Sequence, residues 1–413
     1  MDLNNPSGIE TGESWPSGSF AEGSAQGEKR HTHFDAKLMN DSGKRRKVVH
    51  FTSVHSPLDN RIARKECAAL LDAGFDVALV ARHDEAGEVG EIPLISVPIR
   101  AGRWARMTRS VWEVSRAAHR VGAEYYHFHD PELLPIGVWF KLLGKRVIYD
   151  AHEHLPRQIY SKHWIPRPLR FVVATLAGVI ESAAVRVLDG VVAATPTIAQ
   201  RFPARKTATV QNFPRVEELI SVGEVPYGDR PMALAYIGAI SEERGVREML
   251  RVLKELPAEV RLNLAGTFSP ASLRREVAGS EGWEQVDFVG FQSRRGIVEL
   301  LKRSRVGLVL LHPAPNYVDA LPVKLFEYMA AGLPVVASDF PLWREIVESA
   351  GCGRVVDPHD PEAVAAAIRD LLEDPVEAAE MGRRGRAAVE QRYNWSREAD
   401  KLVQFYCLLG EVS

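Results

Sequence analysis

Leu311-His-Pro-Ala-Pro-Asn-Tyr-Val-Asp319-Ala-Leu-Pro322-Val323-Lys324-Leu-Phe-Glu327-Tyr-Met-Ala-Ala-Gly332 decides how this chain reads. The apolar run Val306 to Leu311 before it has the composition of a buried strand. Pro322 then opens a helical pattern that runs to Ala331, and Gly332 closes it: proline suits a first helical position, glycine the one just past the end. Leu325, Phe326 and Met329 make the core-facing side of that helix. Lys324 falls in its first turn, where the macrodipole is positive and an exposed lysine is unfavourable by roughly 0.3 to 1 kcal/mol. An anion is the natural counterpart. A phosphate at this end would meet free backbone N–H groups from Val323 onward, the dipole and the ammonium, each charge-assisted bond worth about 1.5 to 3 kcal/mol. Glu327, three residues on, lies on nearly the same face and can accept two ribose hydroxyls, as acidic groups do in dinucleotide sites; the plainer alternative is an ion pair with Lys324.

Strand, loop, helix recurs on both sides of this unit. Val48 to Thr52, Val77 to Ala81, Tyr125 to Phe128, Val147 to Tyr149 and Val191 to Ala194 read as strands of a first series. Between Asn212 and Pro231 the pattern breaks into Pro, Gly and charged residues, the composition of a linker. A second series follows with Ala233 to Ile237, Leu262 to Ala265, Val286 to Val289, Val306 to Leu311 and Val335 to Ser338. The expectation is two α/β Rossmann-like domains, 46–213 and 229–392, with parallel sheets and a cleft between them. Ligands in such sheets sit outside the carboxyl ends of strands, and between domains. Residues 1–45, acidic and Gly/Ser-rich at the start, read as a disordered tail without a secretory signal.

With 52 basic and 54 acidic side chains among 413 residues, the net charge is −2. No global field is available to hold DNA or RNA, so any anion site is local. The three cysteines lie far apart, with no CxxC and no even-numbered framework, which points to a reducing cytoplasm. The longest apolar stretch, Phe171 to Ile180, is too short to span a bilayer.

Gly238-Ala-Ile-Ser-Glu-Glu-Arg244-Gly245 leaves a strand and enters a helix, offering close backbone approach at Gly238 and a guanidinium for bidentate phosphate contact at Arg244. Taken with Lys324 in the same sheet it strengthens a nucleoside diphosphate site. In the first domain, strand ends carry His127-Phe-His129-Asp130-Pro131-Glu132 and Asp150-Ala-His152-Glu153-His154. Neither matches HExxH, so these residues are expected to line the cleft rather than hold a metal, and Asp130 is an N-cap candidate. GxSxG, Walker A and GxGxxG are all missing, which disfavours serine hydrolases, P-loop ATPases and ordinary dinucleotide oxidoreductases.

Asp319, eight residues before Glu327, leads into Phe-Glu-Tyr-Met-Ala-Ala-Gly-Leu-Pro-Val-Val-Ala-Ser, a stretch that resembles the acidic E-x7-E signature of family 4 glycosyltransferases. Gly238 to Gly245, the Val286 to Phe291 strand end and the Tyr393-Asn-Trp395 helix start are similar to that family. Thr52 to Ile62 and His129-Asp-Pro-Glu-Leu resemble a subgroup associated with bacterial polysaccharide assembly. The likeness covers about Arg46 to Leu409. It implies a GT-B fold whose terminal helix (393–410) crosses back to the first domain. It also implies transfer with retained anomeric configuration and no required metal or cofactor. Carried over, Glu327 binds the donor ribose, Asp319 the donor-sugar hydroxyls, Arg244 and Lys324 the diphosphate, and His152 the sugar and reaction centre, while backbone at Phe291 meets the base. Three positions depart from the pattern. Asp319 stands where Glu is usual, Ala239 where many relatives have an arginine, and Asp59-Asn60-Arg61 where a glycine-rich loop is usual, so that Arg61 becomes a candidate for phosphate or acceptor. His129, Asp130 and Glu153 complete the expected cleft.

The implied partners are a nucleotide-sugar donor and a glycan or lipid-linked acceptor, with no nucleic acid, in the cytoplasm or at the inner face of the cell membrane. Basic stretches at Arg100, Arg103, Arg106 and Arg109, and at Arg157 to Arg170 with Trp164, are candidates for anionic lipid. Two rival readings use the same donor site: a sugar-nucleotide epimerase or hydrolase, and a non-catalytic binding subunit. Fold alone does not choose between them.

Overall fold

The computed structural model describes residues 43–99, 106–160, 162, 165–222 and 225–411. The stretch read as a tail, up to Ser42, lies outside these residues, as do Arg100, Arg103 and Trp164. Fourteen strands among the described residues form two sheets. The first holds β1 (Lys47–Phe51), β2 (Asp76–Arg82), β3 (Gly87–Val89), β4 (Ile92–Val97), β5 (Tyr125–Phe128), β6 (Arg146–Ala151), β7 (Gly190–Ala193) and β8 (Thr207–Thr209) in the order 3-4-2-1-5-6-7-8. The second holds β9 (Ala233–Ile237), β10 (Arg261–Ala265), β11 (Val286–Gly290), β12 (Val306–Val309), β13 (Val335–Ser338) and β14 (Gly353–Val356) in the order 11-10-9-12-13-14. Every pairing is parallel except the β3–β4 hairpin. The central strands are buried on both faces, which is why they read as continuous apolar runs.

Four strands escape the sequence reading, and each has a reason. β3, β8 and β14 are sheet edges with short, half-polar sequences, and β4 is interrupted by Pro93. The run expected to be strand through Leu311 leaves the ladder after Val309; Leu310 and Leu311 stay buried but already belong to the loop. The linker contains short helical turns at Val216–Glu218, Ile220–Val222 and Tyr227–Asp229 rather than open coil.

Six helices position the site: α1 (Leu155–Tyr160), α2 (Arg167–Val187), α3 (Val246–Lys254), α4 (Arg294–Lys302), α5 (Val323–Ala330) and α6 (Trp395–Glu411). α6 crosses back, burying Leu402, Phe405, Tyr406 and Cys407 in the first-domain core with Val48 and Leu70. Its start is tied to the linker: Trp395 N donates to Pro214 O at 2.9 Å and Gln211 N to Glu398 Oε2 at 2.8 Å. Lys65 reaches the same place, donating from Nζ to Asn212 Oδ1 and Phe213 O, both at 2.6 Å. The three cysteines are buried free thiols.

Candidate active site

In the second domain, Lys324 occupies the first turn of α5 with its ammonium 3.5 Å above the Tyr236 ring and no hydrogen-bond partner among the described residues. Burial pushes its pKa well below the usual lysine value; the nearby Arg244 charge adds to this and Glu327 opposes it. A buried cation without a partner is a site waiting for an anion. Gly238, at φ 113°, turns the chain after β9 where an L side chain would be strained, and brings its backbone beside Lys324. Gly245, at φ 78°, starts α3 so tightly that a Cβ would lie 2.0 Å from Leu310 O. Between these glycines Arg244 extends over the Tyr317 ring at 5.7 Å. Phe291 follows Gly290 with its side chain exposed, and Val323 is half-buried at the start of α5.

Glu327 does not pair with Lys324. Its Oε1 accepts from Arg294 Nη1 at 2.5 Å, and Arg294 Nε donates to Glu218 Oε2 at 2.5 Å. Arg294 opens α4, where Ser293 Oγ caps the helix by accepting from Gly296 N. Sequence reasoning passed over Arg294 and Glu218, because a linker turn and a helix start meet at Glu327 only in three dimensions. The Ser293 cap was the readable signal that a helix begins there.

In the first domain, His50 of β1, His127 of β5, His129 just after it and Asp150 of β6 gather on one side of the sheet. His129 joins Asp150 Oδ2 through Nδ1 and His50 Nδ1 through Nε2, each at 3.0 Å. His127 Nδ1 lies 2.8 Å from the hydroxyl of Tyr406 on α6. Arg61 is fully engaged: Nε and Nη2 bind Asp150 at 3.2 and 2.9 Å, Nη1 binds Val210 O at 2.8 Å, and Nε lies 2.9 Å from Glu66 Oε1. Arg61, read from the sequence as a candidate for phosphate or acceptor, and His129, read as a cleft residue, are both buried among these partners. Asp130 also differs from expectation: its carboxylate does not cap the following turn but accepts from Thr52 Oγ1 at 2.8 Å and Ser53 N at 2.6 Å.

His152 is the member of this group that reaches the cleft. Its Nε2 lies 3.5 Å from Asp150 Oδ2 and its ring stacks on His129 at 5.3 Å. Burial holds its pKa down at about 3, with Asp150 opposing, so the imidazole is neutral near pH 7. Glu153 beside it is raised by burial. The cleft joins His152, Glu153 and Arg157 of the first domain to Asn316, Tyr317 and Asp319 of the second. Arg157 of α1 forms an ion pair with Asp319 across it. Trp343 Nε1, donating to Ala320 O at 2.7 Å, steadies the loop that carries Asp319.

Two groups could offer ligands to a metal: Glu66, His127, His129 and Asp150, and separately Glu248, His312 and His359. In the first, the Arg61 guanidinium already lies against both carboxylates and supplies the cationic charge. In the second, Glu248 is held by His312 at 3.0 Å and by Arg251 at 3.6 Å.

Residues 60–214 match the family described as Glycosyl transferase 4-like domain, and residues 224–388 match Glycosyl transferases group 1. Sucrose-phosphate synthase from Thermosynechococcus elongatus superposes with a TM-score of 0.72 over 89% of this chain and 100% of that one, at 18% identity. Anabaena HepE, solved with UDP and glucose, gives 0.65 over 87% and 98%, at 16% identity. The fold is GT-B. Each of the two domains thus matches a glycosyltransferase family model over much of its own length. Among curated relatives, alpha-D-kanosaminyltransferase of Streptomyces kanamyceticus is 27% identical over 44% of this chain and 47% of its own length. Phosphatidyl-myo-inositol mannosyltransferase of Mycobacterium leprae is 28% identical over 48% and 52%. The chain spans about half the length of the curated relatives it matches.

Proposed function

We propose that this protein is a retaining glycosyltransferase that moves a sugar from a nucleotide-sugar donor to a hydroxyl of a glycan or lipid-linked acceptor, in cell-surface polysaccharide assembly on the cytoplasmic side. The observation that carries the reading is Lys324, a buried amine at a helix N-terminus with no hydrogen-bond partner among the described residues, beside the glycine turn at Gly238 and the Arg244 guanidinium. The UDP in the Anabaena structure and the transferase names of the relatives support it.

In this mechanism the donor diphosphate lies over the start of α5. Lys324, Arg244 and the backbone N–H groups take up the charge that develops as the glycosidic bond to phosphate breaks; fixed donors of this kind commonly supply the largest catalytic term. Glu327, aimed by Arg294, receives the ribose hydroxyls. Asp319 accepts from the donor-sugar hydroxyls once Arg157 is displaced, and neutral His152, stacked on His129, hydrogen-bonds the sugar near the reacting carbon. The acceptor hydroxyl approaches from the leaving-group face and its proton passes to the departing phosphate. No metal is assigned to a step.

The test is a panel of UDP-, GDP-, ADP- and dTDP-sugars, following thermal shift and nucleotide release with and without acceptors. One donor that stabilises the fold, with release accelerated by an acceptor, supports transfer. Release of free sugar or of an epimer without an acceptor overturns it.

A further inference from the structure

Helix α2 is built inside out. Its apolar side chains Leu169, Val172, Val173, Leu176, Val179, Ile180 and Val187 recur at three- and four-residue spacing, the pattern of a core-facing stripe. They face solvent instead: Leu176 is 56%, Val179 61% and Ile180 57% exposed, and Phe171 beside them 66%. The inward face is made of Ala174, Glu181 and Val185. Glu181 is completely buried, its carboxylate accepting from Tyr149 Oη at 3.1 Å and Arg201 Nη2 at 2.5 Å. Length and composition alone would pass this 21-residue helix for a membrane span. The buried, paired Glu181 anchors its other face to the first sheet, so it lies along the domain.

An exposed apolar stripe roughly 30 Å long, at 1.5 Å per residue, needs a partner. The charges say which. Arg167 and Arg170 stand at one end of the helix and Arg186 at the other, and its one acidic residue is the buried Glu181. The neighbouring helix Leu134–Leu142, packed against α2, adds exposed Trp139 and Leu142, its Lys141 being paired with Asp189 at 2.6 Å. An apolar face ringed by cations suits a surface that is apolar beneath and anionic at its rim. Arg157, in the cleft, is carried by α1, which packs directly on α2.

We infer that the outer face of α2 lies in the plane of an anionic lipid bilayer, its apolar stripe among the acyl chains and its arginines at the headgroups. The bilayer is then the place where the lipid-linked acceptor proposed above is met, while the docking itself rests only on the helix.

The full chain is sedimented with phosphatidylcholine vesicles, either pure or containing about a third phosphatidylglycerol, whose anionic surface potential attracts basic residues near it. Preferential binding to the anionic vesicles is expected. Leu176→Glu with Ile180→Glu should lower it at least tenfold with an unchanged melting temperature, and Arg167→Gln with Arg186→Gln should weaken it mainly at low salt. Donor-induced thermal shift, measured without lipid, should stay the same in all variants, which separates failure of docking from failure of the transferase reading. Equal sedimentation with both vesicle types overturns the inference. So does a concentration-dependent dimer without lipid that the Leu176→Glu, Ile180→Glu variant abolishes, because the face would then belong to a second copy.

Discussion

Arg157, on a short helix of the first domain, holds Asp319 on a loop of the second. The acidic position read as the receiver of donor-sugar hydroxyls is thus engaged across the cleft before any donor arrives. The pair is part exposed, 36% and 39%, so it falls near the class of surface ion pairs worth about 0.2 to 1 kcal/mol.

Arg157→Ala should therefore tighten binding of the intact nucleotide sugar by up to about fivefold. It should leave the bare nucleoside diphosphate unaffected. Calorimetry with both ligands decides, and an equal change for the two would place Arg157 at the phosphate instead.

Lys324→Met should lower turnover at least about tenfold without unfolding the protein, since the buried amine it removes has no hydrogen-bond partner among the described residues. Binding also carries a proton signature. A diphosphate brought against Lys324 raises the pKa that burial had lowered, so between the free and the bound values the complex takes up a proton. Affinity should fall as pH rises through that window. Calorimetry in buffers of different ionisation heat measures the uptake, and the same uptake in Lys324→Met would assign it elsewhere.

Glu327 and Arg294 act as one unit. Glu327→Ala should weaken nucleotide binding by about 1.5 to 3 kcal/mol, the worth of a charge-assisted hydrogen bond. Arg294→Ala should weaken it less, and the double variant no more than Glu327→Ala alone. Fully additive losses would show that Arg294 contacts the ligand independently.

The buried histidines set the response to acid. Burial depresses His50, His127 and His152, His152 to about 3 from a usual 6.5, so in that interval the unfolded chain binds more protons than the folded one. The histidine contribution to stability should be constant above 6.5 and decline as pH falls below it. Urea unfolding across pH 4 to 8 tests this, and His127→Gln should flatten the slope. For the same reason the pH–activity profile should show no His152 inflection near 6.5; one that vanished in His152→Gln would contradict its neutral state.

Gly190 sits under the crossing helix, where a Cβ would come within 2.5 Å of Phe405 Cζ. Gly190→Ala should destabilise the first domain by about 1 to 3 kcal/mol, the usual penalty of overpacking. An unchanged urea midpoint would mean that α6 yields instead.

The central strands and α5 were legible because their information is local. Double-sided burial writes continuous apolar runs, and a Pro…Gly frame writes a helix with Lys324 and Glu327 on one side. The edge strands β3, β8 and β14 were not legible, since short half-polar sequences carry no apolar run. The sequence by itself determined two α/β domains, the strand ends where the site forms and the residue types at the diphosphate. Only the tertiary structure decided which charged groups are spent and which remain available. It tied Arg61 to Asp150, gave Glu327 to Arg294 rather than to Lys324, left Lys324 alone, and turned the apolar stripe of α2 outward. Helix periodicity states that one face is apolar, not which way it points, and pairing energies depend on partners that may be a hundred residues away in the chain but within 3 Å in space.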